Sequence, residues 1–434
     1  MPKVRVAEVI TILKNAAHMK RIVETELACG MVLVAESIPN VSSLAIDWCL
    51  PVGSASDPPN ADGLATLLSE LIFRGAGGLS SREHSDALDR LGVQRTTSLS
   101  AQHLHVEATL LGGQFDAAAP LLTAMAAAPA LPEDAIEPVR QLCLQSLDGL
   151  DDDPQHLVML RLRERHLPPP MNRHGYGERH VLETARAETL RSAWADRARP
   201  RGAIFAAAGE VDPASLARRL DELLPKWRGE ALEPAPTAAP ARGYLPIIQE
   251  SAQLHLGVAW DAPFASHPAS TLERVAVAAL SGSTSGRLFS EVRQKRALCY
   301  SVGARYRAGR DRGFIALYAG TTPERAQETL EVCLAEINRF REGVTREEFA
   351  RAITGLKSHL VMQGESTPSR AGALANDRYC LARCRSLDEI AAEVDAITFE
   401  ALNAYLARRE FGSFTIVTLG PSPLAVPAGA AAAV

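Results

Sequence analysis

Arg293 and Tyr300 carry the side chains of this sequence that are best suited to binding a carbonyl or carboxylate oxygen. The guanidinium of arginine is a planar fork of donors, and the tyrosine hydroxyl donates a single hydrogen bond. The two residues are seven positions apart in one block that runs from Gly282 to Val302. From the pattern alone, two interpretations are open: a functional pair, or a surface helix that is followed by a core tyrosine.

A turn, a helix and a strand must position this pair. Small residues open the block, and a hydroxyl of Ser283 or Ser285 can cap the helix by accepting from its free N–H groups. Leu288, Phe289 and Val292 recur at the spacing of one buried helical face. The pattern therefore predicts a short helix anchored in a core, with the pair near its end and at the start of the next strand.

The same block resembles the C-terminal-domain signature of the pitrilysin/insulinase family of zinc metallopeptidases. In that signature a turn rich in glycine and serine precedes the pattern R-L-F-x-E-[LV]-R-x-K-x-x-L-x-Y-S-[VI], which residues 287–302 match. The resemblance implies that Arg293 and Tyr300 reach a zinc site on an N-terminal domain. There they would hold the substrate and stabilise the tetrahedral intermediate.

Residues 63–75 are the second region of resemblance, a predicted helix with leucines at helical spacing. The family segment reads G-x-A-H-F-L-E-H-M-x-F-x-G-T, in which the two His bind zinc from one helical face and the Glu is the general base. The flanking residues agree with this pattern, but the chemistry does not. Thr66 and Glu70 stand at the two His positions, and Ser69 stands at the Glu position.

The third zinc ligand of the family is a Glu on a later helix, in a segment that ends in D-D-P. Here Ser146 falls at that position, or Gln145 if the register shifts by one residue, and Asp152-Asp153-Pro154 follows. Neutral hydroxyls do not hold zinc without better ligands nearby, and Glu70 alone is a single carboxylate. We therefore expect no metal and no other cofactor in this chain.

Other metal donors are scattered along the sequence. His103 and His105 would share one face of a strand, and either a polar strand face or a relocated metal site that includes Glu107 is open. The seven cysteines are odd in number and dispersed, which argues against a disulfide framework. Cys380 and Cys384 have helical spacing and are either buried thiols or half of a metal site.

Length and composition indicate an ordinary globular protein of more than one domain. The chain has 434 residues and a net charge of −5 with mixed signs, so nothing favours nucleic acid or an anionic membrane. No apolar run is long enough to span a bilayer. Charged residues interrupt positions 1–25, so we expect a cytoplasmic protein, or a periplasmic one whose leader has been removed.

The chain is predicted to repeat one plan twice. Residues 1–228 form an N-terminal peptidase-like domain, the Ala/Pro-rich stretch 229–243 is a linker, and residues 244–434 form a second, homologous domain. The resemblance implies an α+β fold in which each domain is a mostly antiparallel sheet packed with helices.

Some members of the family are heterodimers, in which one subunit holds zinc and the other supplies the Arg and Tyr. This sequence looks like the subunit without zinc of a bacterial member, inactive alone and active only with its zinc-bearing partner. The expected substrate is a peptide held in a closed chamber. Two alternatives stay open: a scaffold subunit with no catalytic role, and an autonomous enzyme with a relocated metal site.

Overall fold

The computed structural model describes residues 22–427. The sequence-based prediction about a leader falls on residues that lie mostly outside this range. Within the described range, no helix is both long and apolar enough to cross a membrane.

The first half of the chain builds a six-stranded sheet in the order β1-β2-β6-β3-β5-β4. All neighbouring strands are antiparallel except β2 and β6. Its strands are β1 (Ile22–Glu26), β2 (Val32–Ser37), β3 (Ser43–Leu50), β4 (Gln94–Leu99), β5 (Leu104–Leu111) and β6 (Ile204–Gly209).

The second half builds a five-stranded sheet in the order β7-β11-β8-β10-β9. Its strands are β7 (Tyr244–Ile248), β8 (Leu254–Ala262), β9 (Cys299–Ala308), β10 (Gly313–Thr321) and β11 (Thr415–Gly420). Strands β7, β11, β8, β10 and β9 thus occupy the places of β2, β6, β3, β5 and β4 in the first sheet. The single parallel pair of each sheet corresponds as well, since β7 and β11 take the places of β2 and β6. The predicted α+β fold with a repeated plan is confirmed, whereas the boundaries 1–228, 229–243 and 244–434 stay a prediction.

The helices of the two halves also correspond in order. Those of the first half are α1 (Leu64–Leu71), α2 (Ser81–Arg90), α3 (Phe115–Ala127), α4 (Ile136–Asp148), α5 (Pro154–His166), α6 (Arg179–Thr184), α7 (Ala187–Arg197) and α8 (Pro213–Leu223). Those of the second half are α9 (Ser270–Ser281), α10 (Ala326–Arg339), α11 (Arg346–Gly364), α12 (Thr367–Leu381), α13 (Leu387–Asp395) and α14 (Phe399–Arg408). A π-helical turn, Phe289–Gln294, lies where the first half has α2.

Each sheet has its main core on one face. Along β5 the even-numbered side chains, such as Leu104 and Val106, are buried in this core, and the odd-numbered ones point to the other face. Trp48 and Phe205 pack edge to face at the centre of the first core, beside α1. The alternation leaves a second face on each sheet that also needs a cover.

The two halves cover that second face for each other. Helix α12 belongs to the second half, yet its Leu374 packs against β3 and β6 of the first sheet. Helix α5 belongs to the first half, yet its Leu162 packs against β8 and β11 of the second sheet. The sequence did not predict this exchange, because both helices read locally as parts of their own repeat.

Buried polar side chains fix each exchanged helix. On β2, Glu36 forms an ion pair with Arg370 of α12, and both side chains are only about 1% exposed. On α5, the ring of His166 bonds the Thr415 hydroxyl of β11 at 2.9 Å. The two halves therefore join through buried polar contacts as well as apolar ones.

Candidate active-site cleft

A cleft of about 1210 Å³ lies between the two halves. Thr66, Ser69 and Glu70 of α1 and Ser146 of α4 all line it, together with residues of β9 and α12. The structure thus brings together the four positions that the resemblance assigned to a zinc motif, even though none of them keeps the family residue.

Helix α1 is held at its first turn by a buried carboxylate. Asp57 accepts from the N–H of Gly63 at 2.9 Å and from that of Ala65 at 3.1 Å, and it pairs with Arg197. Gly63 has a φ of 133°, which favours glycine, so this residue starts the helix without strain. The start of α1 is therefore fixed in the wall of the cleft.

The hydroxyls at the motif positions are already engaged. Thr66 donates to the carbonyl of Gly175 at 3.0 Å, Ser69 to that of Thr66 at 2.7 Å, and Ser146 to that of Leu142 at 2.9 Å. Only Glu70 contributes a charged oxygen, and zinc sites in proteins need three or four good donors. These residues do not fit a zinc ion at this place.

We predict that Glu70 and Ser146 contribute nothing to any zinc that the purified chain retains. The variants Glu70→Gln and Ser146→Ala should carry the same zinc content as the unchanged chain, because neither position belongs to a sufficient ligand set. Elemental analysis after gel filtration measures this content. A loss of zinc in either variant would show that the motif helix still binds metal.

Arg293 and Tyr300 lie outside this cleft. The Arg293 guanidinium stacks on both neighbouring rings, with its carbon 4.9 Å from the centre of Phe289 and 5.1 Å from that of Tyr300. Tyr300 is 81% exposed, so the interpretation of this residue as a core tyrosine is wrong. Arg293 and Tyr300 thus form a stacked cation–π pair, called the platform below, in which the tyrosine is the exposed member.

Two backbone irregularities produce this platform. Arg293 lies in the π-helical turn, and Tyr300 lies where the β9–β10 register shifts. Ser301 is opposite Gly320 and Cys299 is opposite Thr321, so Tyr300 is the extra residue of a β-bulge. A bulge redirects a side chain, and both kinds of irregularity are frequent at functional sites.

The rest of the block is structural. Arg287 is buried and makes a two-point ion pair with Glu348 of α11, with N–O distances of 3.0 and 2.8 Å. Leu288 and Val292 are fully buried, as the pattern predicted. Phe289 is only partly buried, because its ring lies against Arg293.

The predicted serine cap is not formed by either candidate. The hydroxyls of Ser283 and Ser285 bond each other at 2.8 Å, and the N–H of Ser285 donates to Ser283 at 3.2 Å. Both contacts stay within the turn. The two serines shape the entry to the block and leave the helical N–H groups without a side-chain acceptor.

The two histidines of β5 have different surroundings. His103 is buried, which lowers its pKa to about 3. Burial alone would lower the pKa of His105 too, but the Asp47 carboxylate at 3.0 Å raises it above the ordinary value. Glu107 accepts from Ser98 at 3.0 Å and takes no part in a histidine cluster.

Cys49 joins His105 and Asp47 in the one group of three or more close metal-donor side chains that residues 22–427 contain. Burial raises the pKa of the Cys49 thiol well above its ordinary value, and Asp47 adds to the rise. Cys380 and Cys384 are outside this group, and each contacts a separate oxygen of its own segment. The sequence missed the group because its members come from two strands.

The fold and the cleft define a protein of two α+β domains that share one cleft. Family models bear this out: one described as insulinase, peptidase family M16, matches residues 32–181, and one described as the peptidase M16 inactive domain matches residues 184–356. The chain therefore belongs to the M16 family of peptidases, the pitrilysin/insulinase family that its motifs resemble.

Relatives and solved structures agree with this assignment. An uncharacterized zinc protease of Bacillus subtilis, YmxG, is 26% identical over 407 residues, which cover 91% of this chain and 97% of that protein. The crystal structure of a peptidase M16 inactive domain from Pseudomonas fluorescens has a TM-score of 0.82 at 18% identity, covering 94% and 99% of the two chains. A chain of complex III2 from Candida albicans has a TM-score of 0.77 at 18% identity, covering 92% and 96%.

Proposed function

We propose that this chain is the subunit without peptidase zinc of a heterodimeric M16 peptidase. It supplies Arg293 and Tyr300 to the active site of a homologous, zinc-bearing partner, and the pair together hydrolyses peptides in a closed chamber. The observation that carries the proposal is the Arg293–Tyr300 platform, in which Tyr300 is 81% exposed and neither residue lines the chain's own degenerate cleft.

The chemistry of peptide hydrolysis can be divided in this way. A partner with intact ligands and a base activates water and polarises the carbonyl. The separate requirement is a donor aimed at the carbonyl oxygen as it gains negative charge, and such donors act from a facing surface as well as from the same chain. Tyr300 is 81% exposed, so its hydroxyl is accessible to take this part.

The packing of the platform also supports a functional role. A π-helical turn and a β-bulge both interrupt the regular backbone hydrogen bonds. An exposed ring buries little apolar surface that would offset this loss of stability. Here they combine to hold Tyr300 outward and to place the Arg293 guanidinium on its ring. A cation on the ring face restrains the tyrosine.

We predict that the chain alone does not cleave unstructured peptides and that its zinc-bearing partner restores cleavage. Neither subunit then holds all the required groups, since this chain lacks the ligands and the partner lacks the donors. The measurement is hydrolysis of a quenched fluorescent peptide library by each subunit and by the mixture. Full activity of the partner by itself would contradict the proposal. Peptide hydrolysis by the isolated chain that is lost in Glu70→Gln or Ser146→Ala would contradict it as well.

The alternative is a scaffold subunit with no catalytic role. The observation that favours this alternative is the structural similarity to a chain of complex III2, which concerns the fold alone. A scaffold does not need an exposed tyrosine hydroxyl. The two functions therefore differ in the effect of Tyr300→Phe on peptide hydrolysis: the variant should lower kcat in a catalytic subunit and leave it unchanged in a scaffold.

A further inference from the structure

We propose that Asp47, Cys49 and His105 bind a zinc ion beside the cleft, separate from the degenerate motif on α1. Each residue offers one donor atom, and the three atoms converge: Asp47 Oδ1 is 3.0 Å from His105 Nδ1, Cys49 Sγ is 3.4 Å from that nitrogen, and Cys49 Sγ is 3.7 Å from Asp47 Oδ1. The inference does not depend on the proposed peptidase role.

These distances are close to the edges of a tetrahedral zinc site. Zinc bonds of about 2.0 Å to nitrogen or oxygen and about 2.3 Å to sulfur, at tetrahedral angles, separate N from O by about 3.3 Å and S from either by about 3.5 Å. Each observed separation differs from its ideal by about 0.3 Å or less. Small side-chain adjustments would therefore complete the geometry.

Hydrogen bonds and a bound cation are two alternative ways to satisfy the same cluster. His105 Nδ1 faces both the carboxylate and the thiol, but a ring nitrogen carries either one proton or one lone pair. If it donates to Asp47, it cannot accept from Cys49, and the thiol instead donates a long hydrogen bond of 3.7 Å to the same carboxylate oxygen. A cation between the three atoms satisfies all of them at once.

The strands hold the cluster rigidly. Cys49 and His105 are directly opposite on β3 and β5, and Asp47 lies two residues along β3 on the same face. Directly opposite side chains on neighbouring antiparallel strands are close together, so the sheet register itself positions the donors. Helix α12 covers this face, which leaves little freedom for the donors to separate.

The donor set and its position indicate the metal and the coordination. A thiolate and an imidazole favour zinc over magnesium or calcium, and one carboxylate is a common additional ligand. Three protein ligands leave the fourth position free. Cys49 and His105 both line the cleft, so water or a small ligand from the cleft can reach that position.

The experiment uses the full chain without a histidine tag, freed of metal with a chelator and titrated with Co²⁺. A cobalt ion bound to Cys49 should give a thiolate-to-cobalt charge-transfer band in the near ultraviolet, and Zn²⁺ should remove the band on displacing cobalt at about one equivalent. The variants Cys49→Ser and Asp47→Asn test the ligands. Cys49→Ser should abolish the band, and Asp47→Asn should weaken metal binding while it keeps the shape of the side chain.

Cys143→Ser is the matched control. Cys143 also lines the cleft and is also buried, but it is not part of the donor cluster, so this variant should keep the band. Circular dichroism confirms that each variant is folded. A folded chain that gives no band, or a band that survives Cys49→Ser, would overturn the proposal. Neither result bears on Tyr300, since no peptidase activity is measured.

Discussion

Tyr300→Phe should lower the kcat of the reconstituted heterodimer by about a hundredfold to a thousandfold, the usual cost of removing one oxyanion donor. The substitution removes only a hydroxyl from a ring that is 81% exposed, so the fold and the assembly should survive. KM should change little, because the hydrogen bond to the oxygen becomes strong chiefly in the transition state. Steady-state hydrolysis by the mixed subunits measures both constants.

Tyr306→Phe is the control on the same strand. Its hydroxyl donates to the carbonyl of Pro263 at 2.5 Å, so it is engaged within the chain and is not offered to a partner. This variant should keep the kcat of the unchanged pair to within a few-fold. Size exclusion of each mixture separates a catalytic defect from a failure to assemble.

Arg293→Ala should affect both kcat and KM. The guanidinium stacks on the Tyr300 ring, so its loss frees the ring to move, and the planar fork is also suited to a substrate carbonyl or carboxylate. If Tyr300→Phe assembles and keeps the unchanged kcat, the platform has no catalytic role. The scaffold alternative would then be the better account of the chain.

Periodicity and motifs predicted most of the fold. The helix at 63–75, the strand that begins near Tyr300 and the repeat of one plan all followed from local spacing, because each of these elements has an apolar face that its own neighbours cover. The exchange of α5 and α12 could not be predicted in this way. The contacts of these helices with the sheets they cover join residues as far apart as 334 positions for α12 and 249 positions for α5, and that pairing depends on how the two halves dock.

The candidate site also has one part that the sequence predicts and another part that depends on the three-dimensional structure. The departure of Thr66, Ser69, Glu70 and Ser146 from the family motif was visible in the sequence alone. The outward turn of Tyr300 was not, because a π-helical turn and a one-residue bulge leave no periodic signal. The sequence drew attention to His105 but paired it with Glu107, since a single strand was in view. Its actual partners, Asp47 and Cys49, come from the neighbouring strand through the sheet register.

Arg370→Met should lower the free energy of unfolding by about 3–5 kcal/mol, the usual cost of leaving one partner of a buried ion pair uncompensated. Arg370 and Glu36 are each about 1% exposed, and the guanidinium also donates to the carbonyl of Arg385 at 2.6 Å. Removing the cation leaves the Glu36 carboxylate buried beneath α12 without a counter-charge. Urea unfolding followed by tryptophan fluorescence measures the loss, because Trp48 lies in the core of the same sheet.

Two further variants make this test specific to the buried pair. Arg351→Ala removes a cation that pairs with Glu347 on the exposed face of α11, and it should cost at most about 0.5 kcal/mol. The double variant Glu36→Gln, Arg370→Met should recover much of the stability, since no uncompensated charge remains. If Arg370→Met costs no more than Arg351→Ala, the ion pair does not fasten α12 to the first sheet. The apolar contacts of Leu374 and its neighbours would then be what holds the two halves together.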